Sequence, residues 1–234
     1  MKKLKPLLRR AGLVLGAAGA LLTLAFVDRS TGATPISELR VRVLGAEGVH
    51  FIDEEGIRRA ILEAGIPVQG ALAREIDLAA IESLIEAIPC IANAEAYQDL
   101  AGVLHIAARQ REPVIRVINA DGTSFYIDAE GFAMPVSPRF TARVPVAIGW
   151  LQEPGASAGV ASVRVPDSTA ARYRSDELHR LALFLRADPL WRSLFDQVVV
   201  GPDGQFELVP IVGGHRILIG DGSELAQRLA KLRL

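Results

Sequence analysis

Apolar positions recur with three different spacings along the chain, and each spacing predicts a different element. The first is an unbroken run. Residues 11–27 carry no charged side chain, while residues 2–10 hold Lys2, Lys3, Lys5, Arg9 and Arg10 without an acid. At ~1.5 Å per residue a helix over this run spans ~26 Å, close to a ~30 Å hydrocarbon core. Leu8 extends it, and Arg9 and Arg10 can snorkel to the headgroups. The pattern predicts a transmembrane helix over 11–27 behind a cytoplasmic tail, 1–10, because basic residues stay inside. A cleaved signal peptide has the same order, but its apolar region is shorter, and the small-residue site Thr31-Gly32-Ala33 lies well past the run. An uncleaved anchor is the reading adopted.

After a polar, breaker-rich linker, 28–35, the spacing changes to two. Leu39, Val41 and Val43 alternate with Arg40 and Arg42, which predicts a half-buried strand. The spacing then becomes helical. Asp53 is placed to cap a helix with Ile57, Ile61 and Leu62 on one face, and Asp77 caps a second. That second helix carries Ile81, Leu84, Ile85 and Ile88 on its apolar stripe, Glu82 and Glu86 toward water, and Pro89 at its end. Runs 92–98 and 103–111, joined by turn residues 99–102, read as two strands. The order β-α-α-β-β predicts a compact α+β domain over 36–112, with both helices on one sheet face.

Glu112-Pro113 marks the next boundary, since proline interrupts the ladder of a central strand. Beyond it, short alternating runs separated by Asp-Gly, Glu-Gly and Gly-Gly turns predict a mainly antiparallel β domain over 113–234 with flanking helices. Strands are expected at 114–119, 124–127, 144–149, 198–200 and 206–211, the last paired with 216–220 in a hairpin. Helices are expected at 175–187 and 223–234. Residues 153–159 read as a mobile loop.

Composition narrows the function. With 26 Lys and Arg against 27 Asp and Glu, the formal charge is -1, which argues against nucleic acid as a partner. Cys90 is the only cysteine, so no intramolecular disulfide exists, and a buried thiol is expected there. His50, His105, His179 and His215 have no metal-ligand companion at the usual spacings. No glycine-flanked serine elbow or phosphate-binding glycine loop is present. The acids Asp53, Glu54 and Glu55 suit the first turn of a helix rather than a reaction centre. The chain therefore reads as no enzyme, with no catalytic, cofactor or metal residues and no small-molecule substrate.

The order strand, two helices and two strands beside one membrane span continues into Asp121-Gly122, Phe125-Tyr126-Ile127-Asp128 and Gly131-Phe132-Ala133-Met134-Pro135-Val136-Ser137-Pro138. This combination resembles the bacterial cell-division family FtsQ, also called DivIB. The run Arg143-Val144-Pro145-Val146 and the late hairpin up to Asp221 resemble that family too. The resemblance implies a POTRA domain over 36–112 and an FtsQ-type β domain after it. It also implies a non-enzymatic scaffold in the inner membrane at the division septum, its later domains periplasmic, recruiting the coiled-coil proteins FtsB and FtsL. A POTRA-bearing export or outer-membrane assembly factor is the alternative; it would call for repeated POTRA units or a long barrel.

Two partner surfaces are expected. In the family, the helix after the hairpin leads to a further strand and a C-terminal tail, whereas the sequence here stops at Leu234: either it is truncated there, or the partner binds differently, with Arg216, Ile217, Leu218 and Ile219 as an open sheet edge for strand addition. Arg40, Arg42, Arg109 and Arg111, on the POTRA strands, would meet an acidic partner.

Overall fold

A computed structural model describes residues 16, 35–156, 159–163 and 173–233. The span expected over 11–27 thus lies outside the described residues but for Gly16, and among the described residues no helix is long and apolar enough to cross a membrane. Two compact units interleave along the sequence. Among the described residues, 35–43, 54–85 and 93–108 form the first, and 44–53, 86–92 and those from 109 onward form the second.

The first unit follows the expected order. Strand β1 (Glu38–Leu44) precedes helices α1 (Glu54–Glu63) and α2 (Leu78–Glu86), then β2 (Ile91–Gln98) and β3 (Val103–Gln110), in a three-stranded sheet ordered β1-β3-β2. Its core comes from Ile57 and Ile61 of α1, Ile81 and Ile85 of α2, and Val41, Leu104, Ile106 and Ala108 of the sheet. Leu62 departs from the expected stripe and stands 76% exposed. Five positions past Ile57 it is rotated about 140° around the helix, away from the buried line. Glu82 departs too. Its carboxylate accepts the Ala96 amide at 2.8 Å and so takes up a backbone donor of the edge strand β2. Asp77 caps α2 as expected, accepting from the Ala80 amide at 3.0 Å.

One carboxylate organises the β2–β3 turn. Asp99 Oδ1 accepts the amides of Ala101 and Val103, each at 2.9 Å, and Oδ2 lies 2.9 Å from His105 Nε2. Tyr97 stacks on the His105 ring, 4.8 Å between centroids. The hydrogen bond to His105 first, and the Val103 amide next, hold the Asp99 carboxyl below the usual carboxylate range.

The second unit is a single sheet of eight strands ordered β11-β10-β9-β7-β4-β5-β6-β8. Its members are β4 (Pro113–Ile118), β5 (Ser124–Asp128), β6 (Phe132–Pro135), β7 (Val146–Gly149), β8 (Ala161–Ser162), β9 (Phe195–Val200), β10 (Phe206–Pro210) and β11 (Ile217–Gly220). Helices α3 (Ser175–Ala187), α4 (Pro189–Leu194) and α5 (Leu225–Ala230) accompany it. Most pairs are antiparallel, but β4 with β7 and β7 with β9 run parallel. Pro113 opens central strand β4 at its first residue, where a missing amide does no harm. Helix α3 packs over β4 and β5, and Leu178, Leu181 and Leu185 join Ile115, Val117 and Phe125 in the core.

Two details differ from the sequence reading. Strand β9 begins at Phe195, not at Val198, because Trp191 and Phe195, four apart and both buried, imitate a helical stripe while the chain has already turned into the sheet. Residues 153–159 do not begin as a mobile loop: Glu153 is 6% exposed. Its carboxylate accepts the Arg174 amide at 2.8 Å, the Ser175 amide at 3.0 Å and the Ser175 hydroxyl at 2.6 Å. Its amide donates to Asn119 Oδ1, and Asn119 Nδ2 donates to its carbonyl, both at 2.9 Å. Arg174, at the cap position of α3, supplies no side-chain cap, so the carboxylate of a distant residue satisfies the open amides there.

Two measurements check these assignments. Because its folded pKa is lowered, Asp99 contributes stability that is complete above the ordinary carboxylate pKa of about 4 and is lost as pH falls through the depressed folded value. The stability advantage of the native chain over Asp99→Asn, followed by urea unfolding, should therefore be largest near neutral pH and vanish in acid. Glu153→Ala strands buried donors at the start of α3 and should cost about 2 kcal/mol in the same assay, with Glu153→Gln recovering part of the loss.

Candidate partner-binding surface

The last hairpin is anchored from within. Phe206, Leu208 and Ile219 are buried, and β10 pairs with β11 in the register Glu207 to Leu218 and Leu208 to Ile217. Its turn carries Gly213 at φ 96, a left-handed conformation that glycine adopts freely. On the other side of β10 lies β9, whereas β11 has no further neighbour in the sheet among the described residues.

The four residues expected to form an edge do share one strand end, but they divide by alternation. Leu218 is 78% exposed; Ile219 points into the core at 1%. Arg216 lies on the surface with Nε 3.1 Å from Glu207 Oε1, an ion pair across the hairpin. Ile217 is half-buried. The Ile219 carbonyl is taken by Arg228 of α5, whose Nη1 donates to it. That guanidinium lies where a Cβ on Gly220 would stand, which together with φ 75 explains glycine at that position.

Two exposed apolar residues of the same hairpin lie outside the surface expected from sequence. Ile211 and Val212, 56% and 76% exposed, follow β10 in the hairpin turn. The available signal was their position directly before Gly213-Gly214, where turn residues are ordinarily polar.

The arginines expected to meet an acidic partner are differently occupied. In the first unit, Arg40 makes an exposed bidentate pair with Glu38 at 2.8 and 2.9 Å, while Arg42 is exposed with no ion pair among the described residues. In the second, Arg109 Nη1 lies 2.9 Å from Glu130. Arg111 is engaged inside that unit. Its Nη1 donates at 2.7 Å to Asp128, which is fully buried, and its guanidinium lies 5.0 Å over the Phe132 ring. Removing Arg111 would thus leave a buried carboxylate with one partner fewer, a structural effect before any effect on binding.

Two other reactive groups are wholly or partly buried. His179, buried, lies 3.1 Å from the Ala129 carbonyl. Cys90 is half-buried, and burial pushes its thiol up. Among the described residues no three His, Cys, Asp or Glu side chains gather as a metal site.

Comparison with known proteins divides the chain at one point in sequence, whereas the compact units interleave, with 44–53 and 86–92 in the second. The profile of the POTRA-like domain matches residues 36–109, and that of FtsQ/DivIB, C-terminal related, matches residues 112–234. A relative from Rhodothermus marinus, named cell division protein FtsQ, is 29% identical over 169 residues, which cover 70% of this chain and 57% of that protein. The matched part thus spans little more than half the length of that relative. With one profile covering more than half of its residues and a POTRA-like domain ahead of it, the chain belongs to the FtsQ/DivIB C-terminal related family.

Proposed function

We propose that this protein is a non-enzymatic scaffold of the cell-division machinery, anchored in the inner membrane by residues 11–27. In this reading the tail 1–10 is cytoplasmic and 28–35 is a linker. A POTRA domain over 36–112 and a β domain over 113–234 then stand in the periplasm at the septum. Its partners are FtsB- and FtsL-like coiled-coil division proteins. Family membership and the name of the Rhodothermus relative support the division role. The basic-then-apolar start supports the topology.

The observation that carries the binding mode is the edge position of β11 with Leu218 outward. A partner strand laid against it gains main-chain hydrogen bonds, and Leu218, Ile211 and Val212 offer apolar surface to its side chains. Ile219 acts from within by holding the strand to the core, so it sets the edge without touching the partner.

The test is capture of the coiled-coil partners by the full-length chain, read beside septal localisation of a fluorescent fusion. Leu218→Asp, at an exposed position, should leave the unfolding midpoint unchanged and weaken capture at least about tenfold; Leu218→Pro should abolish it. Undiminished capture by Leu218→Asp would reject the edge as the site. A fusion spread evenly around the envelope would reject the septal role.

A further inference from the structure

The first unit carries an open edge of its own beside an apolar groove. Strand β1 ends the order β1-β3-β2, so one side of its backbone has no strand neighbour among the described residues. Along it runs a groove between β1, α1 and the segment after α1, lined by Leu39, Ile61, Leu62, Ile66 and Val68. Leu62, off the buried stripe of α1, is 76% exposed. An exposed leucine on the rim of an apolar groove next to an unpaired strand is the pairing of features that β-augmentation uses: main-chain bonds from the edge, side-chain pockets beside it.

Charge selects the occupant. Arg58 lines the groove, and Arg42 stands exposed on β1; neither makes an ion pair among the described residues, whereas Arg40 is already held by Glu38. The surface therefore has two cations outside any ion pair and one neutralised pair, Glu38 with Arg40, whose carboxylate also lines the groove and lies within electrostatic reach of Arg58. A second copy of this chain is a poor fit. Antiparallel pairing of two β1 strands centred on Val41, the register that uses all seven residues, places Arg40 opposite Arg42 twice, and like charges directly opposite are unfavourable.

We infer that β1 and the groove beside it bind an extended acidic segment of a partner protein, which adds as a fourth strand, seats an apolar side chain against Leu39, Ile61 and Leu62, and places carboxylates by Arg42 and Arg58. This surface is separate from β11 and adds a second strand-accepting edge to the chain. Carboxylates on the incoming strand neutralise the arginines that keep β1 from pairing with itself, so the same charges that oppose self-association draw the partner.

The test uses the full-length protein and a fluorescein-labelled decapeptide alternating Glu and Val, with one alternating Lys and Val as control. Fluorescence anisotropy should show the acidic peptide binding at least about tenfold more tightly than the basic one, the difference shrinking with added salt. Hydrogen exchange should show new protection over Glu38–Leu44. Leu62→Asp, at an exposed position, and Arg58→Glu, at a half-buried one, should each weaken binding about tenfold, the former without moving the unfolding midpoint, while Leu218→Asp leaves binding unchanged. Equal affinity for the two peptides, protection confined to β11, or full binding by Leu62→Asp would each overturn the inference.

Discussion

One buried carboxylate holds together the part of the second unit on which its sheet depends. Glu153 sits just after β7; its backbone is clasped by Asn119, just after β4, and its side chain closes the start of α3 at Arg174 and Ser175. Strands β4 and β7 are parallel, as are β7 and β9, and parallel neighbours cannot be joined by a tight turn. After β7 the chain adds β8 at the far end of the same sheet, and α3 and α4 precede its return as β9. At the start of α3, backbone donors would be buried without partners, and Glu153, from the segment after β7, supplies acceptors for them. With the helix start fixed, Leu178, Leu181 and Leu185 meet Ile115 and Val117 in the core.

Edges are the second constraint. An open strand invites pairing, and the two units treat theirs differently. In the first, Glu82 takes the Ala96 amide of β2, whereas β1 carries arginines that discourage a second copy. In the second, β8 is only two residues long, and β11 has one carbonyl occupied by Arg228 but presents Leu218 outward. Of these edges, β1 has the exposed Leu62 beside it and β11 carries the exposed Leu218. A scaffold of the kind proposed needs such places, because main-chain hydrogen bonding gives affinity to a partner strand and the neighbouring side chains choose which one.

Much of this fold was legible in the residues. The alternation of β1, the stripes of α1 and α2, the Asp77 cap and the bounds of α3 follow from periodicity and capping chemistry, which are local. The hairpin of β10 and β11 was legible as well, through Gly213-Gly214 between two alternating runs. Less visible were the start of β9, where Trp191 and Phe195 imitate a helix, and the exposure of Leu62, one step off its stripe. At the candidate surface, the sequence identified the strand but not that Ile219 faces inward, nor that Arg111 is committed to Asp128.

By itself, then, the sequence determined the order of the elements, the apolar run at its start, the absence of a disulfide and the resemblance that points to a division scaffold. Each rests on spacing or composition within a few residues. Tertiary structure alone decided which strands run parallel, which strands end their sheets, and which charges are already paired. Those are facts about neighbours far apart in the chain: Glu153 acts on Ser175, and Arg111 on Asp128, and no local period records either meeting. For a protein read here as binding through its edges, that difference matters most, since whether a strand is an edge depends on what fails to lie beside it.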